Sequence, residues 1–442
     1  MNILQNHLVQ LRRPKPLKIL LINPPFYRFL GLEQDYVPIS LVSVGTAMVE
    51  EGHEVYLKNL EVGENMYYVG YAQRASDYDK FVNAIDDPSH FIWQELRDTI
   101  EEVQPDKIGV TVLNVKFKAV LKVIEIADSY GIPVIVGGQH PTTEPNIYPK
   151  HVEVFTGEYE ASTPEFPGLE KNRLKDLNEI ALPNYDILVD KYSPNGYGHI
   201  MSSRGCPYLC TFCASNVMWD QRVTFKSIDR IVEEMAYAEE TFQTDFFTFW
   251  DETWTMDKKR VYEFCSKYNL DAKWRCDTRA DSIDDEMIKA MKEANLGQMS
   301  IGVETSDDET LKRIGKVEYQ EDFIRAAQIL GDNNIQWKAY MIIGFPTDTE
   351  KMIFDSIEFV KTLKPFRITL SFFTPYKGTA LYDEVEALGL INQETYESAL
   401  FSHQSPHNYF CPNIPKERFM EIREIITKDV DDYNKEALKV WR

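Results

Sequence analysis

The chain has 442 residues, 43% hydrophobic and 27% charged, with six cysteines and a formal net charge of -22. Such length and composition allow two or three domains with sizeable cores and exclude a disordered chain. The acidity excludes a nucleic-acid phosphate backbone as partner, because that binding needs clustered Lys and Arg. Met1 to Arg13 is amphipathic at best, and no run of eighteen apolar residues occurs anywhere. Neither a signal peptide nor a membrane span is expected, and the cytoplasm is the expected location, where cysteines stay reduced.

Leu17 to Ile22 is an almost continuous apolar run closed by Asn23-Pro24-Pro25, the pattern of a buried parallel strand that ends in a turn. A helix follows at Ile39 to Glu51 and a strand at Val55 to Leu57, then a polar, Tyr-rich insertion from Gly63 to about Phe91. Trp93 to Val103 reads as a helix, Ile108 to Leu113 as a strand, Phe117 to Tyr130 as a helix and Pro133 to Val136 as a strand. Gly137-Gly138-Gln139-His140-Pro141 breaks the chain, and Val152 to Phe155 leads into Gly157-Glu158-Tyr159-Glu160. This alternation predicts an α/β, doubly wound parallel sheet over residues 1–160, with ligand sites beyond the carboxyl ends of its strands.

Residues 161–196, with Pro164, Pro167, Pro183 and Pro194, read as a connector. The second series has strands at Gly198 to Ser203, Asp245 to Trp250, Ala272 to Thr278, Gln298 to Val303, Lys338 to Ile343 and Arg367 to Phe373. Helices are expected at Ile228 to Glu240, Asp285 to Ala294, Gln320 to Leu330 and Glu350 to Leu363. Six such units over residues 197–380 match a partial (β/α)6 barrel of TIM type, whose chemistry sits on the loops after the strands. Residues 381–442 are expected to form a short C-terminal cap that faces substrate.

The second series opens with Arg204-Gly205-Cys206-Pro207-Tyr208-Leu209-Cys210-Thr211-Phe212-Cys213. Its C-x3-C-x2-C spacing can wrap three thiolates around one inorganic cluster and leave one iron open for a non-protein ligand. Structural zinc would need a fourth ligand close by, whereas Cys265, Cys276 and Cys411 are isolated. The run resembles the signature of radical S-adenosylmethionine (SAM) enzymes, with the aromatic Phe212 before the last cysteine. The resemblance implies a [4Fe-4S] cluster on Cys206, Cys210 and Cys213, SAM on its open iron, and Phe212 near the adenine. It further implies an external electron donor such as ferredoxin or flavodoxin, whose electron cleaves SAM to a 5′-deoxyadenosyl radical.

By the same resemblance, Glu252 or Asp251 meets the methionine ammonium, Arg279 lies near the SAM carboxylate and Glu304 contacts the ribose. Gly344, in Gly344-Phe345-Pro346, belongs to the turn beneath the adenine. Ser371 to Thr379 resembles the family's Thr-Pro-Tyr-Pro-Gly-Thr, with Lys377 in place of a proline, and makes Tyr376 the candidate catalytic residue at the substrate. The bland alternative for Asp251 is a helix cap, and for Tyr376 a packed core tyrosine.

In the first domain, Asn23, Pro24, Gly137, Gly138, Gln139, His140, Glu158 and Tyr159 together resemble the cobalamin-binding, Rossmann-like domain fused to many radical SAM enzymes. Asn23 and Pro25 stand where the wider cobalamin pattern D-x-H-x-x-G has Asp and His, so no histidine is offered there as a lower axial ligand. By position, Leu113, Asn114 or Val115 screens that face. His140 is expected to hydrogen-bond the corrin side chains or tail, the alternative being a satisfied structural histidine.

The resemblance covers about residues 17–380 and implies a cobalamin-dependent radical SAM C-methyltransferase. Such an enzyme methylates an unactivated sp3 carbon through the 5′-deoxyadenosyl radical and methylcobalamin. An accessible mouth suggests a protein or peptide substrate, such as a glutamine of methyl-coenzyme M reductase. The alternatives are a cobalamin-dependent radical cyclase or rearranging enzyme acting on a small molecule, and a corrinoid or cluster carrier without turnover.

Overall fold

The computed structural model describes residues 15–32, 34–63, 70–161, 173–391 and 405–440. Met1 to Arg13, together with Pro164 and Pro167 of the connector, lie outside these described residues. The first sheet comprises β1 (Lys18–Asn23), β2 (Glu54–Asn59), β3 (Lys107–Thr111), β4 (Val134–Gly137) and β5 (Glu153–Val154). All pairs are parallel, in the order β2-β1-β3-β4-β5. Leu20 and Ile22 pack on one side against Ile92, Trp93 and Leu96 of the helix Phe91–Val103. Ile19 and Leu21 pack on the other side against Leu41 and Val42 of the helix Ile39–Glu50. Burial on both faces is why β1 reads as an unbroken apolar run rather than an alternating one.

The expected insertion after β2 is largely helical instead. Tyr71–Asp86 forms a helix whose Tyr71, Tyr78, Phe81 and Ile85 are buried. Those four recur every three to seven positions, so a helical stripe underlies the polar composition.

The second sheet comprises β6 (His199–Ile200), β9 (Phe246–Phe249), β10 (Lys273–Thr278), β11 (Leu296–Glu304), β12 (Gln336–Ile343) and β13 (Arg367–Phe372). Its strands are parallel, in the order β13-β12-β11-β10-β9-β6. The run expected as one strand, Gly198 to Ser203, splits. Only His199–Ile200 joins the sheet, while β7 (Ser203–Arg204) turns away to pair antiparallel with β8 (Thr224–Phe225). Helices at Ile228–Phe242, Asp285–Glu293, Gln320–Asp332 and Glu350–Thr362 cover the outside. Ser227 and Asp284 cap two of them, accepting from the N–H groups of Arg230 and Met287.

The free edge of β13 is sealed by side chains. Asn434, on the helix Lys416–Val440, accepts from Ile368 N–H at 2.8 Å and donates to the Ile368 carbonyl at 2.9 Å. Tyr71 Oη accepts from Leu370 N–H at 2.9 Å. Among the described residues no helix is long and apolar enough to cross a membrane.

Candidate active site

The cysteine loop leaves β7 and is pinned at its centre: Thr211 N–H donates to the Ile314 carbonyl at 2.8 Å, and Leu381 N–H donates to the Thr211 carbonyl at 3.0 Å. Cys206 Sγ lies 3.7 Å from Thr253 Oγ1. Burial pushes the Cys213 thiol up to about 12 and raises Cys210 as well, the latter opposed by the nearby cations Lys316 and Arg279. Thiolates in so dry a place need a cationic partner, which is what an iron–sulfur cluster supplies. Among the described residues no three His, Cys, Asp or Glu side chains converge as ligands of one metal ion.

Glu252 faces this loop, accepting from Gly205 N–H at 3.2 Å and Ser215 Oγ at 3.3 Å. Asp251, the other expected ammonium acceptor, is committed elsewhere: it is buried and takes hydrogen bonds from Ser202 N–H at 3.1 Å, Ser202 Oγ at 2.6 Å and Ser203 Oγ. Burial still raises its pKa. Both acids follow β9 in the turn before Trp254, and that turn directs Asp251 to Ser202 and Ser203 and Glu252 to the loop.

Arg279 also departs from expectation. Its guanidinium makes a paired hydrogen bond to Asp281, at 3.0 and 2.7 Å, donates to the Lys316 carbonyl at 2.8 Å and stacks 3.9 Å from the Tyr208 ring centroid. With every face engaged, it braces the cysteine loop rather than offering a fork to a carboxylate. Glu304 is buried against Lys316, at 3.6 Å, and burial raises its pKa. Its backbone is left-handed, φ 65°, and a Cβ on Gly302 would lie 2.4 Å from its carboxylate. A glycine at 302 is thus what admits this carboxylate. Lys316 also pairs with Glu318 at 3.0 Å. Lys316, Glu318 and Tyr208 escape the sequence reading, since charged loop residues ordinarily look like solvated surface.

Phe212 meets Phe345 edge to face at 5.9 Å, and the turn at Gly344 is held by Asp348, which accepts from Gly344 and Phe345 N–H groups at 2.8 and 3.0 Å. Tyr376 lies near both Cys213 and Tyr27, and burial raises its phenol to about 12. Lys377 reaches across to the first domain, pairing with Glu144 at 3.0 Å. Cys411 is fully buried and packs within the barrel's apolar core.

The first domain carries a cavity of about 260 Å3 between the helix Ile39–Glu50 and the ends of β1, β3 and β4. That position is the switch point of a 2-1-3-4-5 sheet, where open α/β folds bind ligands. Leu21, Leu41, Met48, Ile135 and Phe155 wall it, and Gly109, Gly137 and Gly138 leave its floor open. Gly138 has φ 102°, and a Cβ there would approach Thr111 Oγ1 and the Val112 backbone to 3.1–3.3 Å. Leu113, Gln139, Glu158 and Tyr159 line the cavity, as do Arg204, Met218 and Trp219 from the second domain. A mostly apolar slot with backbone exposed at its floor fits a nucleotide-like tail. Arg204 ties the slot to the cysteine loop, donating to Glu158 at 2.5 Å and to Glu160 at 2.9 Å.

Four of the expected corrin contacts do not reach the slot. Asn23 is buried in a network with Asn59, at 2.7 Å, and Lys116, at 2.8 Å, and Pro24 is buried beside it. His140 points into the domain interior, where Nδ1 lies 2.6 Å from Tyr148 Oη and the ring sits beside Phe117; burial lowers its pKa to about 4. The structural alternative holds for that histidine. Asn114 does not line the cavity, and its Oδ1 is buried without a partner among the described residues.

Residues 200–360 match the radical SAM superfamily and residues 30–166 the B12 binding domain. An uncharacterised methyltransferase of Pyrococcus horikoshii is 26% identical over 85% of this chain and 85% of its own. The anaerobic magnesium-protoporphyrin IX monomethyl ester cyclase of Synechocystis is 22% identical over 83% of this chain and 77% of its own. The radical SAM methyltransferase TsrM of Kitasatospora setae, solved with tryptophan and a SAM analogue, superposes with a TM-score of 0.64 at 15% identity, covering 84% of this chain and 76% of TsrM. The chain thus unites a radical SAM domain with a B12 binding domain, joined where Arg204 meets the slot of the first, and it shares this fold with TsrM solved with cobalamin and a [4Fe-4S] cluster and with OxsB solved with aqua-cobalamin and SAM.

Proposed function

We propose that this protein is a C-methyltransferase acting on an unactivated sp3 carbon. The observation that carries the reading is the meeting of two sites: Arg204 lines the slot of the first domain and immediately precedes Gly205-Cys206 of the cysteine loop. When bound, the cluster and SAM supply a hydrogen-abstracting 5′-deoxyadenosyl radical, and cobalamin supplies the methyl group. The chain's own part is to hold these groups and the substrate carbon within reacting distance in one dry site.

In this reading Cys206, Cys210 and Cys213 hold the cluster, Glu252 accepts the methionine ammonium, and Phe212 with the Gly344 turn shapes the adenine pocket. Glu304 and Lys316 form a buried pair beside Cys210 that fixes local charge. Leu113, which is 43% exposed while lining the slot, screens the lower face of the corrin. Gly137, Gly138 and Gln139 admit its tail, and Glu158 and Tyr159 close the slot's side. Tyr376 orients the substrate, and a ferredoxin or flavodoxin delivers the electron. A protein or peptide residue, such as a glutamine of methyl-coenzyme M reductase, is one substrate that an accessible mouth admits.

The test is anaerobic reconstitution with iron, sulfide and cobalamin, then mass spectrometry after reduction with SAM. Both 5′-deoxyadenosine and S-adenosylhomocysteine are expected. Deoxyadenosine alone would favour a cyclase or rearrangement, the reading to which the likeness to the Synechocystis cyclase lends weight. Neither product would leave a carrier role.

A further inference from the structure

The inner face of the barrel is not filled by apolar layers. Along β9 to β13, Phe247, Trp274, Cys276, Met299, Trp337 and Ala339 point outward into the buried core. The alternate positions point inward and are polar: Thr248, Arg275, Asp277, Ser300, Lys338 and Tyr340. Arg275 Nε donates to Thr248 Oγ1 at 2.9 Å, and Tyr340 Oη donates to Asp277 at 3.4 Å. Lys338 lies 5.6 Å from the Tyr340 ring centroid. Among the described residues, neither Arg275 nor Lys338 has a carboxylate within ion-pair distance.

We propose that this lumen is an anion site in which Arg275 and Lys338 bind a carboxylate of the substrate. Two inward cations that share the field of one acid, Asp277, with no carboxylate within ion-pair distance among the described residues, are costly to hold, and an acidic chain of net charge -22 had many carboxylates with which to pair them. Arg367 lies close to Lys338, and among the described residues Asp277 is the acid whose field reaches both Arg275 and Lys338. Burial and the field of Arg275 lower Lys338 to about 8, a strain that a bound anion relieves. The guanidinium of Arg275 has the planar geometry that suits a carboxylate, and Ser300, whose hydroxyl is buried without a hydrogen-bond partner among the described residues, adds a neutral donor. Calling the bound molecule the substrate rests on the methyl-transfer reading; the existence of the anion site does not.

The test is calorimetric titration of the reconstituted holoenzyme with glutarate at low ionic strength, with glutaramide as the neutral control. Glutarate is expected to bind at least tenfold more tightly than glutaramide. Lys338→Met and Arg275→Gln are each expected to weaken glutarate at least tenfold, with melting temperatures checking the fold, and Lys338→Arg to restore it to within about threefold. No glutarate binding, or equal binding by wild type and both charge-removing variants, overturns the site. A glutamine-containing tripeptide that binds more tightly than glutarate, and indifferently to the two variants, overturns the carboxylate assignment in favour of a neutral peptide. Absence of SAM cleavage by the wild-type enzyme sinks methyl transfer and leaves the glutarate result standing.

Discussion

The guanidinium of Arg279 stacks 3.9 Å from the ring of Tyr208, so the residue after β10 braces the loop that carries the three cysteines. Removing it would take the cation from the exposed Asp281 and leave the buried Glu318 with Lys316 alone. Arg279→Leu is expected to cost about 1–3 kcal/mol, the range for leaving hydrogen-bonding groups such as the Lys316 carbonyl without their donor, and to lower iron content after reconstitution. Arg279→Lys should recover stability in part without recovering the stack. Iron and sulfide assays with thermal unfolding check both, and a full cluster in an equally stable Leu variant would refute the bracing role.

Alanine at Cys206, Cys210 or Cys213 should each abolish the cluster's visible absorbance. Cys411→Ala should keep it and cost only about 1 kcal/mol, since that thiol is a small buried apolar group. Loss of absorbance in the Cys411 variant would mean that the pinned loop is not the whole ligand set.

Gly138 stands at φ 102° on the floor of the first-domain cavity. Valine there must strain the backbone, by about 1–3 kcal/mol, and fill space. Cobalamin retained after gel filtration is expected to fall at least tenfold, with the cluster unaffected. Equal retention would place the corrin elsewhere.

Asp348 is a buried acid whose pKa burial raises to about 7, against the two N–H groups it accepts. Because the folded state holds the proton more tightly than the unfolded state, its contribution is fully present below about pH 4 and is lost as pH rises to about 7. Asp348→Asn should therefore gain on the wild type between pH 5 and 8, by at most a few kcal/mol. Denaturant melts at the two values measure this, and a constant difference would show that Asp348 does not titrate in that window.

The sheets were legible because apolar runs such as Leu17 to Ile22 and the regular spacing of Asp245 to Trp250 and Ala272 to Thr278 encode burial directly. The cysteine loop was legible because spacing alone limits what three thiols can ligate. What escaped was the direction of charged side chains. Asp251 and Glu252 are neighbours with the same chemistry, and the turn after β9 directs one to Ser202 and leaves the other at the loop. His140 lies in a Gly-Gly turn that reads as ligand-facing, yet Tyr148, eight residues on, claims its ring. Lys316 and Glu318 lie far along the chain from the cysteines, and their meeting with Cys210 depends on barrel closure. The helix Tyr71–Asp86 was hidden by its own tyrosines and charges, although its buried stripe is regular.

The seal on β13 has a bearing on how the protein comes together. Asn434 reaches Ile368 across 66 residues and Tyr71 reaches Leu370 across 299, so the last edge of the barrel closes only through partners remote in sequence. Such distant closures are slow to find. Until both arrive, β13 presents bare peptide groups to any passing strand, and the period before sealing is the time of greatest risk of misassembly.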